Sequence, residues 1–580
     1  MSEYKILLNG TSYDIEGRIT QRAINPWMAA ISSGSTEYSD FSRATREEYF
    51  DFRNGIGKKR ANGSEARLDW SEGIDFTTEG QAVLGGLVNT ADYAKWAANT
   101  AYTLLKFRIP TTANGYCYEC TTAGTSHATT EPAWPTTVGN TVTDGTVTWT
   151  CRAYLAPIKV IDFQSNTYVI QNSRILKWDG TNLDCVHKLL ANPTDALVIT
   201  DDTDEYLVVC SATDAYYTPD GTTWTQLIYY KTPDSTTDPS SAFTDDAYAI
   251  DDNTATYAYD PISAAGWGDY LELNLTIPIN CEKVRYWSQI DTNIGNISID
   301  LYYNDAWTNI YEGAKTNGAW ATVTNSASAF LVSKARVRFQ NTGGLAGSGA
   351  LNEFDFIPYD FGYMADYENR LYFISTDGRH IRYSATKDID TWGGNYNLTG
   401  NYGTTYDLFE GKLLADGTPT LYSTSTEGLY SHDTINGIAY KQEVEYPPLT
   451  YSGHKGLYWN GSVWVATGYG ILKVTPSMAT FIGPDLDDGL PSGYQGYIYD
   501  MVTVNNWLIY CVNGGTSDKS SILKRNSNYG GSLQAYSTSA VNKPIACLYH
   551  SPSSLYTNGR LWFGEGTDVK YMMFPDITSN

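Results

Sequence analysis

One short pattern recurs seven times between Tyr168 and Met572. Each copy is an aromatic-rich run, a turn of Gly, Asn, Asp or Ser, and a second such run. The copies read TYVIQNSRILKW (167–178), YLVVCSATDAYYT (206–218), RLYFISTDGRHIRYS (370–384) and TLYSTSTEGLYS (420–431). They continue as SVWVATGYGILKV (462–474), WLIYCVNGGTSDKSSILK (507–524) and RLWFGEGTDVKYM (560–572). Runs of β-branched and aromatic residues around tight turns form hairpins. One small β unit returning at a period of roughly 40–50 residues predicts a β-propeller. The expected fold is all-β and seven-bladed, and no long segment keeps a 3.6-residue apolar period.

The interval that breaks the period is as informative as the period. The first two units start 38 residues apart, at 168 and 206, and the third starts only at 370. Subtracting one normal interval leaves an insertion of about 125 residues. Composition places it at 231–357, from KTPDSTTDPSS to the FDFIPYD where repeat sequence resumes. The expected organisation is an N-terminal docking segment (1–100), a small β module (101–155), the propeller (156–230 plus 358–580) and an inserted β-sandwich (231–357).

Charge narrows the function classes. The formal net charge of −25 repels nucleic acid and anionic lipid at long range, and an acidic surface also serves solubility. MSEYKILLNGTSY lacks the basic start and apolar stretch of a secretory signal, and no run of 18 apolar residues occurs. The expectation is a protein made in the cytoplasm, with no membrane insertion and no nucleic-acid partner. The basic cluster Arg43, Arg46, Arg53, Lys58, Lys59, Arg60 and Arg67, mixed with acids and scattered aromatics, reads as a segment that docks on a partner or wraps the repeats. Most of the eight cysteines sit in apolar runs, as buried thiols do. Cys117 and Cys120 lack a second ligand pair, and residues three apart on a strand face opposite ways. A Cys120–Cys151 disulfide or plain burial is expected there in place of zinc.

Two segments resemble known families. The string CTTAGTS…EPAWPTTVGNTVTDGTVTWT (120–150), with a tight hairpin at Asp144-Gly145, resembles a small β module of bacteriophage tail and appendage proteins. The insertion carries AIDDNTATYAY (249–259), GWGDYLELNLTIPINCEKVRYW (266–287) and SKARVRFQNTGGLAGSGALNEFDFIP (333–358). It resembles the discoidin or coagulation-factor type C family, a galactose-binding-like jelly roll. That resemblance implies a structural Ca²⁺ at Asp251, Asp252, Asn253, Thr256 and Glu353, where an ordinary Asx-turn is the alternative. It also implies sugar contact through loop aromatics. The candidates are Tyr257, Trp267, Tyr303 and Trp307, while Trp287, mid-strand, is expected in the core.

TPDGTTWTQ (218–226) approximates the Asp-box of sialidase-type propellers through Thr218, Asp220, Gly221, Thr223 and Trp224. That box is a structural turn and not a catalytic element. Arg174, Arg370, Arg379, Arg382, Arg525 and Arg560 are spread over the repeats, which fits blade-edge positions better than a converging sialidase site. No G-x-S-x-G, HExxH or phosphate-binding loop is present. The DLDDG turn (485–489) reads as a solvated loop more readily than as a Ca²⁺ loop. The combined expectation is a non-enzymatic virion protein of a phage tail or its appendages. It would be homo-oligomeric, held to other virion proteins by its N-terminal segment, with no required cofactor and with β domains able to meet a host glycan. A glycan-binding adhesin and a sialidase-like glycoside hydrolase are the alternative readings.

Overall fold

A computed structural model describes residues 86–574 apart from short breaks, and before them the segments 4–8, 11–15, 70–72, 74–75 and 83–84. The basic N-terminal cluster and DLDDG lie outside the described residues. Those residues are almost entirely β, with one short 3-10 helix at Asp246–Ile250. No helix among them is long and apolar enough to cross a membrane.

Seven four-stranded antiparallel sheets succeed one another at 157–188, 193–227, 363–397, 405–441, 452–481, 497–537 and 545–573. The first six are simple meanders. The seventh takes its outermost strand, Val88–Ala91, from the N-terminal side, pairing Val569 with Ala91 and Met572 with Val88. The seven sequence repeats are the middle two strands of these sheets, for example Asn166–Gln171 with Arg174–Trp178 and Arg560–Glu565 with Asp568–Met573. The first strand of each sheet packs on the first strand of the next, and the seventh returns to the first.

The core accordingly lies between sheets. Ile161, Phe163 and Ile170 of the first sheet pack with Ala196, Leu207 and Val209 of the second. Ile199 and Val208 of the second pack with Leu371 and Phe373 of the third. Trp464 and Ile471 of the fifth meet Leu508 and Tyr510 of the sixth. Each sheet is apolar on both faces because each face meets a neighbour.

A polar tie crosses each of the seven seams. Lys159 Nζ lies 2.7 Å from Asp195 Oδ1, joining the first sheet to the second. Asp195 Oδ2 accepts the Met364 N–H of the third at 3.1 Å. The Tyr367 hydroxyl donates to the Pro419 carbonyl at 3.1 Å. Asp407 Oδ2 accepts the Gly456 N–H at 3.0 Å and pairs with Lys455 at 2.9 Å. The Trp459 indole donates to the Asn505 carbonyl at 3.1 Å. Asp500 Oδ2 accepts the Leu548 N–H at 2.8 Å, and the Asp162 N–H donates to the Tyr549 hydroxyl at 3.1 Å. Six of the seven first strands change register near their start, at Pro157/Lys159, Pro193/Asp195, Thr405/Asp407, Ser452/Gly456, Ile498/Met501 and Ile545/Leu548. A bulge frees a backbone N–H from its own ladder and re-aims the side chain beside it. That is how an aspartate of one sheet comes to hold the main chain of the next.

The segment 101–152 forms a four-stranded sheet of Phe107–Arg108, Cys117–Thr122, Thr141–Asp144 and Val147–Arg152. Its Thr141–Asp144 and Val147–Arg152 strands join through Gly145 at φ +63°. Tyr102, Tyr118, Cys120, Val147, Trp149 and Cys151 fill its core, whereas Cys117 packs against the first sheet. All eight cysteines are buried and none is in a disulfide, so Cys120 and Cys151 are plain buried thiols. Glu119, 4% exposed, anchors the module by pairing with Arg152 and with Lys188 of the first sheet, both at 2.7 Å.

The Thr218–Trp224 turn closes the second sheet. Thr218 Oγ1 accepts the Gly221 N–H at 2.9 Å, and Asp220 Oδ1 accepts the N–H groups of Thr222 and Thr223, both at 2.7 Å. These donors hold the Asp220 carboxyl well below its ordinary range. Thr223 Oγ1 donates to Asp220 Oδ2 at 3.0 Å, and Trp224 stacks on His187 at 5.0 Å. Gly221 sits at φ +71°, and a Cβ there would lie 1.9 Å from the Tyr168 hydroxyl. Gly221→Ala is therefore expected to cost about 1–3 kcal/mol, read as a lower calorimetric melting temperature that Tyr168→Phe in the same chain partly restores. An unshifted melt would show that the turn does not need glycine.

Candidate functional site

Residues 231–358 build a separate body of strands around its own core, in which Leu273, Ile299, Val337, Phe354 and Phe356 are fully buried. The 18-residue strand Leu271–Ser288 serves two layers. Its first half pairs with Phe330–Asn341, and its second half pairs with Gly347–Pro358 and Trp320–Thr324. A register break between Asn274 and Ile279 interrupts its ladder with Phe330–Asn341, and from Cys281 onward it pairs with Gly347–Pro358.

In the first layer, Leu271, Ile299, Leu301, Ala335 and Val337 point inward. The period of two then puts Tyr270, Asp300, Arg336 and Arg338 on the outer face. Trp267 joins them opposite Gln340, and Trp307 opposite Tyr302. The Arg338 guanidinium lies 4.7 Å from the Trp267 ring centre and 4.5 Å from that of Tyr270. Arg336 lies 4.0 Å from Tyr270 and 4.5 Å from Trp307. The face thus carries an alternating row of Trp267, Arg338, Tyr270, Arg336 and Trp307, assembled from separate strands. Arg336 is fixed by the buried Asp300 carboxylate at 2.7 Å, which also accepts from Asn309 Nδ2 at 2.7 Å. Half-exposed rings beside polar hydrogen-bonding groups are suited to contacting a pyranose through its C–H face and its hydroxyls.

The four sequence candidates for sugar contact therefore separate. Trp267 and Trp307 share this face. Tyr257 precedes the Ala258–Ile262 strand of the other layer, where its ring meets Tyr259 edge-on at 5.9 Å. Tyr303 is a core residue at 7% exposure, its hydroxyl accepting from Asn325 Nδ2 at 3.3 Å; it continues the inward series of Ile299 and Leu301. Trp287, expected in the core, is instead half-buried and edge-on to Trp320 at 5.9 Å, opposite Glu353 in the ladder. Tyr270, Arg336 and Arg338 were missed, although the alternation in KARVRF (334–339) places three cations on one face.

A second cluster sits on the turn at 251–256. The Glu353 carboxylate, 2% exposed, accepts the Asn253 N–H at 2.7 Å. Thr256 Oγ1 lies 2.8 Å from Asp251 Oδ2 and 2.8 Å from the Asn253 carbonyl, and Asp252 adopts φ +58°. Asn352 donates to the Thr254 and Thr256 carbonyls, both at 2.9 Å, while its buried Oδ1 has no partner. Burial, with Asp251 and Asp252 close by, pushes the Glu353 carboxyl up to about 8. Among the described residues no three His, Cys, Asp or Glu side chains group at metal-holding distance. The available donors are carboxylates, a hydroxyl, an orphaned amide oxygen and main-chain carbonyls, and this all-oxygen set fits a hard divalent cation.

The arginines of the repeats are engaged within their own surroundings. Arg174 lies over Phe107 at 4.5 Å and against the Tyr93 hydroxyl, Arg370 donates to the Ser384 carbonyl at 3.3 Å, and Arg560 lies over Tyr556 at 3.9 Å and Tyr571 at 4.2 Å.

Solved structures that this chain is similar to include the CBM32 of AlyQ in complex with 4,5-unsaturated mannuronic acid, at 16% identity over 22% of this chain and 97% of that one, TM-score 0.18. Another is the family 32 CBM from C. perfringens NanJ in complex with galactose, at 21% identity over 21% and 90%, TM-score 0.18. A third is the computationally designed Ika8 protein, at 8% identity over 73% and 96%, TM-score 0.34. No family model and no curated protein matches the chain.

Proposed function

We propose that this chain is a non-enzymatic glycan-binding protein. In this reading the seven sheets are the blades of a β-propeller that carries a discoidin-like jelly roll as its recognition domain. The outer face bearing Trp267, Tyr270 and Trp307 carries the proposal. It places half-exposed aromatic rings and polar groups on a rigid sheet. Cyclic packing of the first strands supports the propeller reading. The acidic turn would hold a structural Ca²⁺ through Asp251, Asn253, Thr256 and Glu353, with Asp252 shaping the turn; the ion would neutralise the paired carboxylates and brace the loop.

A glycan array probed with the full-length protein tests the reading. Trp267→Ala with Trp307→Ala is expected to weaken every positive signal at least about tenfold, and Tyr257→Ala to leave the signals unchanged. Signals lost only in the Tyr257 variant would move the site to the loop, and a silent array would remove the reading.

The setting we propose is a phage particle, where the chain would be a homo-oligomeric tail or appendage component attached through its first hundred residues. Support comes from the sequence resemblance of residues 120–150. Detection of the chain by mass spectrometry in purified particles checks it.

A further inference from the structure

Two arginines share the outer face and are not equivalent. Arg336 is already paired with a buried carboxylate, its Nε and Nη2 both 2.7 Å from Asp300 Oδ2. Arg338 lies over two rings, Trp267 at 4.7 Å and Tyr270 at 4.5 Å, and its hydrogen-bonding capacity is largely unspent. Its nearest carboxylate, Glu312, lies 3.9 Å away and is 52% exposed. Its buried Nε has no hydrogen-bond partner.

A guanidinium has five N–H donors in a rigid fork that matches a planar carboxylate. Stacking between rings fixes its orientation beforehand, so little side-chain entropy is lost on binding. Of the two arginines on this face, Arg338 is the one that rings flank and that has only a distant, exposed carboxylate beside it. A chain of net charge −25 gives no long-range attraction to a polyanion, so any preference for an acid must arise from such a short-range contact.

We propose that Arg338 selects a carboxylated sugar, a hexuronate, with the carboxylate on its outward N–H groups in place of Glu312. The pyranose ring would lie along Trp267. This inference rests on the reading that the outer face binds glycans, and adds the ligand class and the residue that decides it.

The test compares trigalacturonate with its fully methyl-esterified form, which keeps the ring faces and removes the charge. Titration calorimetry on the full-length wild type is expected to give at least about a tenfold preference for the acid. Arg338→Gln should bind both forms with the affinity of the ester, while its circular dichroism and melting temperature stay at wild-type values. Trp267→Ala should weaken both forms, the acid more, because Arg338 loses one of the rings beside it. Equal wild-type affinities, or a preference that survives Arg338→Gln, would overturn the inference and leave the glycan-binding reading standing if Trp267→Ala still weakens both. Binding of neither form, with neutral glycans bound through Trp267 on the array, also overturns it alone. Binding of no glycan at all removes both.

Discussion

Asp195→Ala is expected to destabilise the packed sheets at two seams at once. The carboxylate does three things at once. It faces Lys159 at 2.7 Å, accepts the Met364 N–H at 3.1 Å, and accepts the N–H of Ala196 at 2.8 Å. Removing it leaves main-chain donors without acceptors inside the protein and an ammonium without its closest counter-ion. An unmet buried donor costs about 1–3 kcal/mol, and breaking a buried pair costs about 3–5 kcal/mol. Lys159 keeps 33% of its side-chain surface and also feels Asp407 and Asp500, so water and those charges recover part of the second sum. The expected net loss is about 2–4 kcal/mol, read as a fall of roughly 3–7 °C in the calorimetric transition. Asp195→Asn should fall between, because its oxygen can still accept the Met364 N–H. A melt within about 1 °C of wild type would mean that the seams are held by apolar packing alone.

Calcium is expected to raise the melting temperature of the wild type at pH 8 and to leave Glu353→Gln unmoved. The sign follows from the carboxyl. Burial lifts it from the ordinary glutamate value of 4.5 to about 8, so the folded state binds the extra proton between those two values. The associated stability is complete below about pH 4.5 and is lost as pH rises through about 8. Without added metal, thermal stability should therefore decline across that window. In Glu353→Gln the decline should flatten, since the amide cannot ionise and can donate to Asp251. Calcium present at about a hundred times its dissociation constant would add about 2.7 kcal/mol at pH 8. An unchanged wild-type melt in calcium would remove the ion from this turn. An identical pH profile in both proteins would show that Glu353 titrates normally.

Hairpins were legible because alternation and turn residues are local signals, and all seven repeats occur as paired strands. Their partners were not. The first strands carry Lys159, Asp195, Asp407, Lys455 and Asp500, which break the apolar pattern, and a bulge shifts their phase. The outermost strands are short and exposed; Ala479–Phe481 is exposed at all three residues. The outer aromatic face was half legible. Trp267 and Trp307 were singled out as loop aromatics, yet their relation depends on Tyr270, Arg336 and Arg338 on neighbouring strands. Tyr303 was misplaced because its face is set by the phase of Ile294–Tyr303 against Phe330–Asn341.

By itself, the sequence determined the kind and number of repeating units and the point where an extra body interrupts them. Alternation, turn chemistry and period act over a few residues and need no partner. Only the tertiary structure decided what satisfies the charges of the first strands, which strand completes the seventh sheet, and which aromatics share a face. Those outcomes depend on groups brought together from distant parts of the chain, such as Ala91 beside Val569 and Asp195 beside Met364.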